Sequence, residues 1–245
     1  MSSASASSAP LVSRTHCPWL FSSIGKKTVV ALTGIVLVLF VIGHLLGNLS
    51  IFLGPNALNS YAMHLQDLGA FLWIIRLVLI ADVALHIYFT MLLWKENLAA
   101  RPQKYAVYAP IKTTLAVRTM RASGLILLAF IIFHLAHFTL LLVNPGYANL
   151  HTEVDHRVVH DVYRMVILGF SNPWVSAFYI LAMATLAFHV SHGIASLFQT
   201  LGLSTNTMRV RYESAARALA VLFFVGYSAI PFSVLFLGLG QGVLK

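Results

Sequence analysis

Six histidines lie within long apolar stretches of this chain: His44, His86, His134, His137, His189 and His192. An ionisable side chain in such surroundings is expensive to keep and marks a functional site by default. One isolated histidine could simply hydrogen-bond a neighbouring helix. Four successive apolar stretches, each with a histidine near its middle, point instead to shared chemistry, either metal ligation or a proton relay. The rest of the composition narrows the metal chemistry. The single Cys17 excludes an intrachain disulfide, a cysteine-held iron–sulfur cluster and a c-type haem attachment. The apolar stretches contain no Glu, so a di-iron carboxylate centre is excluded as well. Any metal held here must be held by histidine.

The elements that must position these residues follow from the hydropathy. Of 245 residues 59% are hydrophobic and only 9% are charged, against about 25% charged in a soluble domain. Five apolar runs, at about 28–53, 72–94, 119–143, 174–200 and 215–238, are each long enough to cross a bilayer, which takes about 20 residues. The fold class expected is all-α: an integral membrane protein of five transmembrane helices over residues 28–245, the first four forming a bundle around the histidines. Trp73, Trp94 and Trp174 sit at run ends, as interfacial aromatics do. Residues 1–27 are Ser/Ala-rich, without an apolar core, and read as a disordered cytoplasmic tail. No internal repeat stands out.

Charge sets the orientation. Arg14, Lys26, Lys27, Lys95, Arg101, Lys104, Lys112, Arg118, Arg121, Arg209, Arg211 and Arg217 fall on one side of the five spans. Only Arg76, Arg157, Arg164 and Lys245 fall on the other. By the positive-inside rule the N-terminus is cytoplasmic and the C-terminus outside. The formal charge of +9 therefore belongs to topology, and nucleic-acid binding has no soluble domain to perform it.

With this topology the histidines sort by depth. At ~1.5 Å per residue, His44 and His134 fall in the outer half of the membrane and His86 and His189 in the inner half. Each layer draws one histidine from each of two alternate helices. Two imidazoles facing each other across a bundle suit a six-coordinate haem b, whereas a histidine-only zinc or copper site would gather three or four ligands at one depth. Gly43 and Gly47 bracket His44, and Gly193 lies one turn beyond His189, which would let a flat macrocycle approach. His137 and His192, three residues from a proposed ligand, are candidates for propionate or ligand-supporting contacts, for packed polar neighbours, or for alternative ligands.

Several stretches, taken in order, resemble the cytochrome b membrane anchor of succinate dehydrogenase and fumarate reductase, in its single-chain, five-helix, di-haem bacterial form. They are Ser22-Ser23-Ile24-Gly25-Lys26-Lys27, Gly43-His44-Leu45-Leu46-Gly47-Asn48, Asn59-Ser60-Tyr61-Ala62-Met63-His64, Ala84-Leu85-His86-Ile87-Tyr88, Phe133-His134-Leu135-Ala136-His137 and Phe188-His189-Val190-Ser191-His192-Gly193. The resemblance spans residues 20 to 240. It implies two haems b, with iron ligands His86/His189 on the inner side and His44/His134 on the outer side, matching the pairs reached from depth. It also implies a multi-pass location in the bacterial cytoplasmic membrane, and flavoprotein (FAD) and iron–sulfur partner subunits docked on basic loops 95–121 and 201–217. The chain would then be a subunit of an enzyme, succinate:quinone oxidoreductase, with the succinate chemistry in a partner and no catalytic residue of its own. Electrons would pass between the iron–sulfur subunit and a quinone, menaquinone for the di-haem type. A higher oligomer of the complex is left open.

A quinone pocket needs polar, proton-connected groups beside apolar walls. The candidates are Ser23 and Lys27 on the inner side and His64 and Asp67 on the outer side. Arg76 and Arg121 are candidates for haem propionate contacts, and Asp82 for a partner of Arg76 or of a histidine. Ala187 stands where some fumarate-reducing relatives carry a carboxylate. His151, Glu153, Asp155, His156, His160 and Asp161 read as a solvated outer loop. Three readings stay open: an electron-transferring subunit working in either direction, a haem-free anchor of the same complex, and a channel using histidines as a relay.

Overall fold

The structure is a computed structural model that describes residues 19–100 and 115–243. Cys17, most of the expected tail, and Arg101, Lys104 and Lys112 of the basic loop 95–121 lie outside the described residues, as do Arg14 and Lys245. Among the described residues, seven α-helices and one hairpin run in the order α1 (Ser23–Leu49), α2 (Pro55–Asp67), α3 (Ala70–Ala99), α4 (Leu115–His134), β1 (His151–Val154), β2 (Arg157–His160), α5 (Val162–Phe170), α6 (Pro173–Thr200) and α7 (Asn206–Phe236). Among the described residues, five segments are long and apolar enough to cross a membrane: Ser23–Leu53, Ala70–Ala99, Arg118–Thr139, Pro173–Thr200 and Asn206–Phe236. The all-α, five-span architecture read from hydropathy is the one observed. Leu39, Leu77, Leu125, Leu181 and Val221 point outward, as lipid-facing residues do.

The boundaries differ for local reasons. The first helix starts at Ser23, inside the tail expected over 1–27, because the Ser22 hydroxyl accepts a hydrogen bond from the Gly25 N–H and caps the helix. The third span ends at Thr139 rather than 143. Its last turn, Leu135–Thr139, is a π turn, and Leu141 then takes φ 54°, which stops the helix. The helix of the fifth span, α7, starts at Asn206, nine residues before its apolar run, with Thr205 accepting from the Met208 N–H.

Helix α1 packs on α3, α4 on α6, and α6 on α7, while α1 also meets α6 and α7. Phe223 of α7 is buried against Leu45 of α1 and Val190 of α6, and the Tyr227 hydroxyl donates to the Val41 carbonyl at 2.7 Å. One end of the bundle carries most of the basic residues and is called the basic end. The opposite end is covered by α2, α5 and the β1–β2 hairpin and is called the hairpin end. Positive φ at Gly54 (102°) and Gly69 (52°) turns the chain into and out of α2. Asn59 of α2, almost fully buried, clasps α5: its amide donates to Asp161 at 3.0 Å and its carbonyl accepts from the Tyr163 N–H at 2.9 Å. The segment read as a solvated loop is this hairpin. His151 pairs across from His160, and an Asp155-His156 turn carries φ values of 49° and 62°.

The topology also reveals an internal repeat that the sequence reading did not find. Helices α1–α2–α3 and α4–α5–α6 each run out, turn through a short helix at the hairpin end, and run back. Thr33-Gly34, Phe40 and His44-Leu45 match Ser123-Gly124, Phe130 and His134-Leu135 at a constant offset of 90 residues. His86 and His189 are offset by 103, because the hairpin lengthens the second half. That inserted length defeats a search for one fixed period. Helix α7 is the odd element added to two related halves.

Candidate functional site

The four central histidines occupy two levels of the bundle. At the level nearer the basic end, His86 of α3 places Nδ1 2.9 Å from the Thr33 hydroxyl of α1. His189 of α6 places Nδ1 3.0 Å from the Ser123 hydroxyl of α4. Each hydroxyl is held by its own helix: Thr33 donates to the Val29 carbonyl at 2.8 Å and Ser123 to the Met120 carbonyl at 2.9 Å. Thr33 and Ser123 are buried.

At the level nearer the hairpin end, His44 of α1 and His134 of α4 face each other with ring centroids 5.8 Å apart and planes at 88°. Each stacks on a phenylalanine one turn earlier, Phe40 at 5.3 Å and Phe130 at 5.8 Å, so the aromatic support is part of the repeat. The Tyr179 hydroxyl of α6 sits between two imidazoles, 3.3 Å from His134 Nδ1 and 3.2 Å from His137 Nδ1. The π turn after His134 brings His137 to this position. His137 is fully buried, and among the described residues its Nε2 has no partner.

The donor set fits a haem iron. Among the described residues, no hydrogen bond is found at Nε2 of His44, His134 or His189, whereas Nδ1 of His86, His134 and His189 is engaged, and His86 also has a backbone hydrogen bond with Val30. Metal-bound histidines show that division, one nitrogen on the metal and the other on a supporting group. Two imidazoles on one iron, each at about 2 Å, put their centroids roughly 6 Å apart, close to the observed separation of His44 and His134. No group of three or more His, Cys, Asp or Glu that could hold a bare metal ion is found among the described residues.

Other expected residues fall into three settings. Arg76 lies over the Trp73 ring (4.9 Å) near the hairpin end, and Arg121 over the Trp94 ring (5.5 Å) near the basic end, where the Trp94 indole N–H is buried without a partner. His192 lies one turn beyond His189 and is half-buried. Ser23 and Lys27 are exposed at the basic end; His64 and Asp67 are exposed at the hairpin end. Asp67 accepts two hydrogen bonds from the Arg157 guanidinium, at 2.8 and 2.9 Å, which hold its carboxyl below the usual range. The quinone candidates are therefore not gathered at one place. Asp82 is buried one turn before His86 with Oδ2 unpartnered, and among the described residues it forms no ion pair with Arg76 or with a histidine.

The sequence reading missed Thr33, Ser123, Tyr179 and Lys26. Lys26, not Lys27, turns inward, is buried, and pairs with Glu96 of α3. Seven residues before Thr33, it shares that residue's face, but nothing in the sequence showed which way that face turns.

Comparison with known proteins decides the family. A model of the succinate dehydrogenase/fumarate reductase transmembrane subunit matches residues 95–228, more than half of the chain. The chain belongs to that family. No curated protein and no solved structure matches it. It is accordingly a multi-pass transmembrane subunit of a complex of that kind, whose catalysis lies in partner subunits. The matched residues include His134 and His189 but not His44 and His86. The internal repeat and the contacts across it are what tie the transmembrane subunit's first half to its second.

Proposed function

We propose that this transmembrane subunit holds two haems b, one between His86 and His189 and one between His44 and His134, and passes electrons between an iron–sulfur partner and menaquinone. The observation that carries the reading is the pairing of intramembrane imidazoles with Nδ1 engaged at three of the four. A haem b held by such a pair would supply one-electron transfer. The chain's own residues do the positioning. Thr33 and Ser123 hold the rings of one pair, Phe40 and Phe130 stack against those of the other, and Tyr179 orients His134. Arg121 and Trp94 stand as cation and N–H donor toward a carboxylate at the basic end, as Arg76 does at the hairpin end.

The basic end lies in the bacterial cytoplasm on this reading, with the N-terminus inside and the C-terminus outside. Lys95, Arg118, Arg209, Arg211 and Arg217 form the described part of the surface for the flavoprotein and iron–sulfur subunits. Succinate is the donor and menaquinone the acceptor in the forward direction. Ser23 and Lys27, or His64 and Asp67, are the groups nearest a quinone entering from either end. The test is to add succinate to the assembled complex in membranes and follow the b-type absorption. Reduction of both haems, reversed by a menaquinone analogue, is the expected result. A complex that oxidises succinate with no b-type signal would make the chain a haem-free anchor. Haem oxidation by fumarate faster than reduction by succinate would assign the reverse direction.

A further inference from the structure

A hydroxyl followed by a glycine occurs at the same register in both halves: Thr33-Gly34, eleven and ten residues before His44, and Ser123-Gly124, eleven and ten residues before His134. Each pair faces not the histidine on its own helix but the one on the returning helix. Thr33 meets His86 and Ser123 meets His189. The glycines lie against the same rings. A Cβ on Gly34 would stand 3.6 Å from His86 Cε1, and one on Gly124 3.5 Å from His189 Cε1. A methyl group at either position would make ordinary van der Waals contact with the imidazole. Ser and Thr in apolar helices often bond back to their own carbonyls. That habit alone does not explain a matched glycine and a matched histidine contact in both halves.

The proton positions follow from the oxygens. A carbonyl can only accept, so the 2.8 Å contact of Thr33 with Val29 and the 2.9 Å contact of Ser123 with Met120 use the hydroxyl protons. Each hydroxyl oxygen can then only accept from the imidazole. With the hydroxyl protons on the carbonyls, the arrangement places the protons of His86 and His189 on Nδ1, which leaves the Nε2 lone pairs unprotonated. An Nδ1–H held by an acceptor makes the ring a stronger donor toward a metal, which favours the oxidised iron and lowers its potential.

We propose that Thr33-Gly34 and Ser123-Gly124 are a duplicated positioning device that fixes the tautomer and ring orientation of the two basic-end haem ligands and holds that haem at a lower potential than the bare imidazoles would. This rests on the reading of His86 and His189 as haem ligands. Thr33 and Ser123 touch the ligands, not the iron, and act through them.

The test is a spectroscopic redox titration of the purified subunit carrying Thr33→Val, Ser123→Ala, or both. Each single change shifts the basic-end haem to a more positive potential, the double change shifts it further, and the hairpin-end haem, in the same molecule, stays where it was. Thr33→Ser and Ser123→Thr, which keep the hydroxyl, restore the original value. An unchanged potential in the double variant overturns the proposal, and so does an equal shift of both haems. A wild-type subunit without haem b would instead overturn the ligand assignment, so the two failures are told apart by the unsubstituted protein.

Discussion

Replacing His86 with leucine lowers the haem content from two per chain to one, and replacing His189 has the same effect with the same residual spectrum. The reason is geometric. A bis-histidine iron depends on two ligands from two helices, and losing either leaves a five-coordinate group in an apolar site with one weak anchor. On the proposed assignment α3 and α6 would each supply one ligand for this pair, so the two changes would act on one unit, and the double variant is expected to lose no more than either single variant. His44→Leu and His134→Leu form the complementary set and remove the other haem. Haem quantitation on the four single and two double variants checks the pairing. If His86→Leu and His44→Leu left identical residual spectra, the pairing would be refuted.

Removing the Tyr179 hydroxyl produces the second large effect. The phenol has one proton and sits between two imidazole nitrogens, so it donates to one and accepts from the other. Tyr179→Phe keeps the ring, which packs edge-on to Phe130 at 5.1 Å and Phe170 at 4.9 Å, and removes only the bridge. Two buried nitrogens then lose their partners, each at about 1–3 kcal/mol. The expected result is a clear fall in the thermal midpoint in detergent and a changed spectrum of the hairpin-end haem alone. Tyr88→Phe, at an exposed position on α3, serves as the comparison and leaves both unchanged. Equal stability of Tyr179→Phe and the wild type would show that the hydroxyl does not bridge the two rings.

The five spans and the central histidines were legible because apolar length and ionisable residues within it are properties of composition. Rotation about each helix axis was not. In a soluble helix the polar face shows which side turns outward, but here the lipid-facing and interior sides are both apolar. Nothing in the pattern around Thr33, Ser123 or Tyr179 therefore indicated that they face a histidine on another helix. The same blindness selected Lys27 over its inward neighbour Lys26. Helices α2 and α5 were missed for a different reason: they are short, and only tertiary contacts such as the Asn59 clasp specify them. The repeat was visible in principle, as residues 33–45 aligned with residues 123–135. It was hidden by the extra hairpin in the second half and by the Leu/Val/Ile background common to all membrane helices.

The central claim is that two levels of paired imidazoles hold two haems within one chain. It is tested most directly by the ratio of haem b to polypeptide in the purified wild-type subunit, with the oxidised spectrum recorded on the same sample. Two haems per chain, both low-spin and six-coordinate with nitrogen ligands on each side, is the predicted result. A ratio of zero, or a haem with an open axial position, would contradict it.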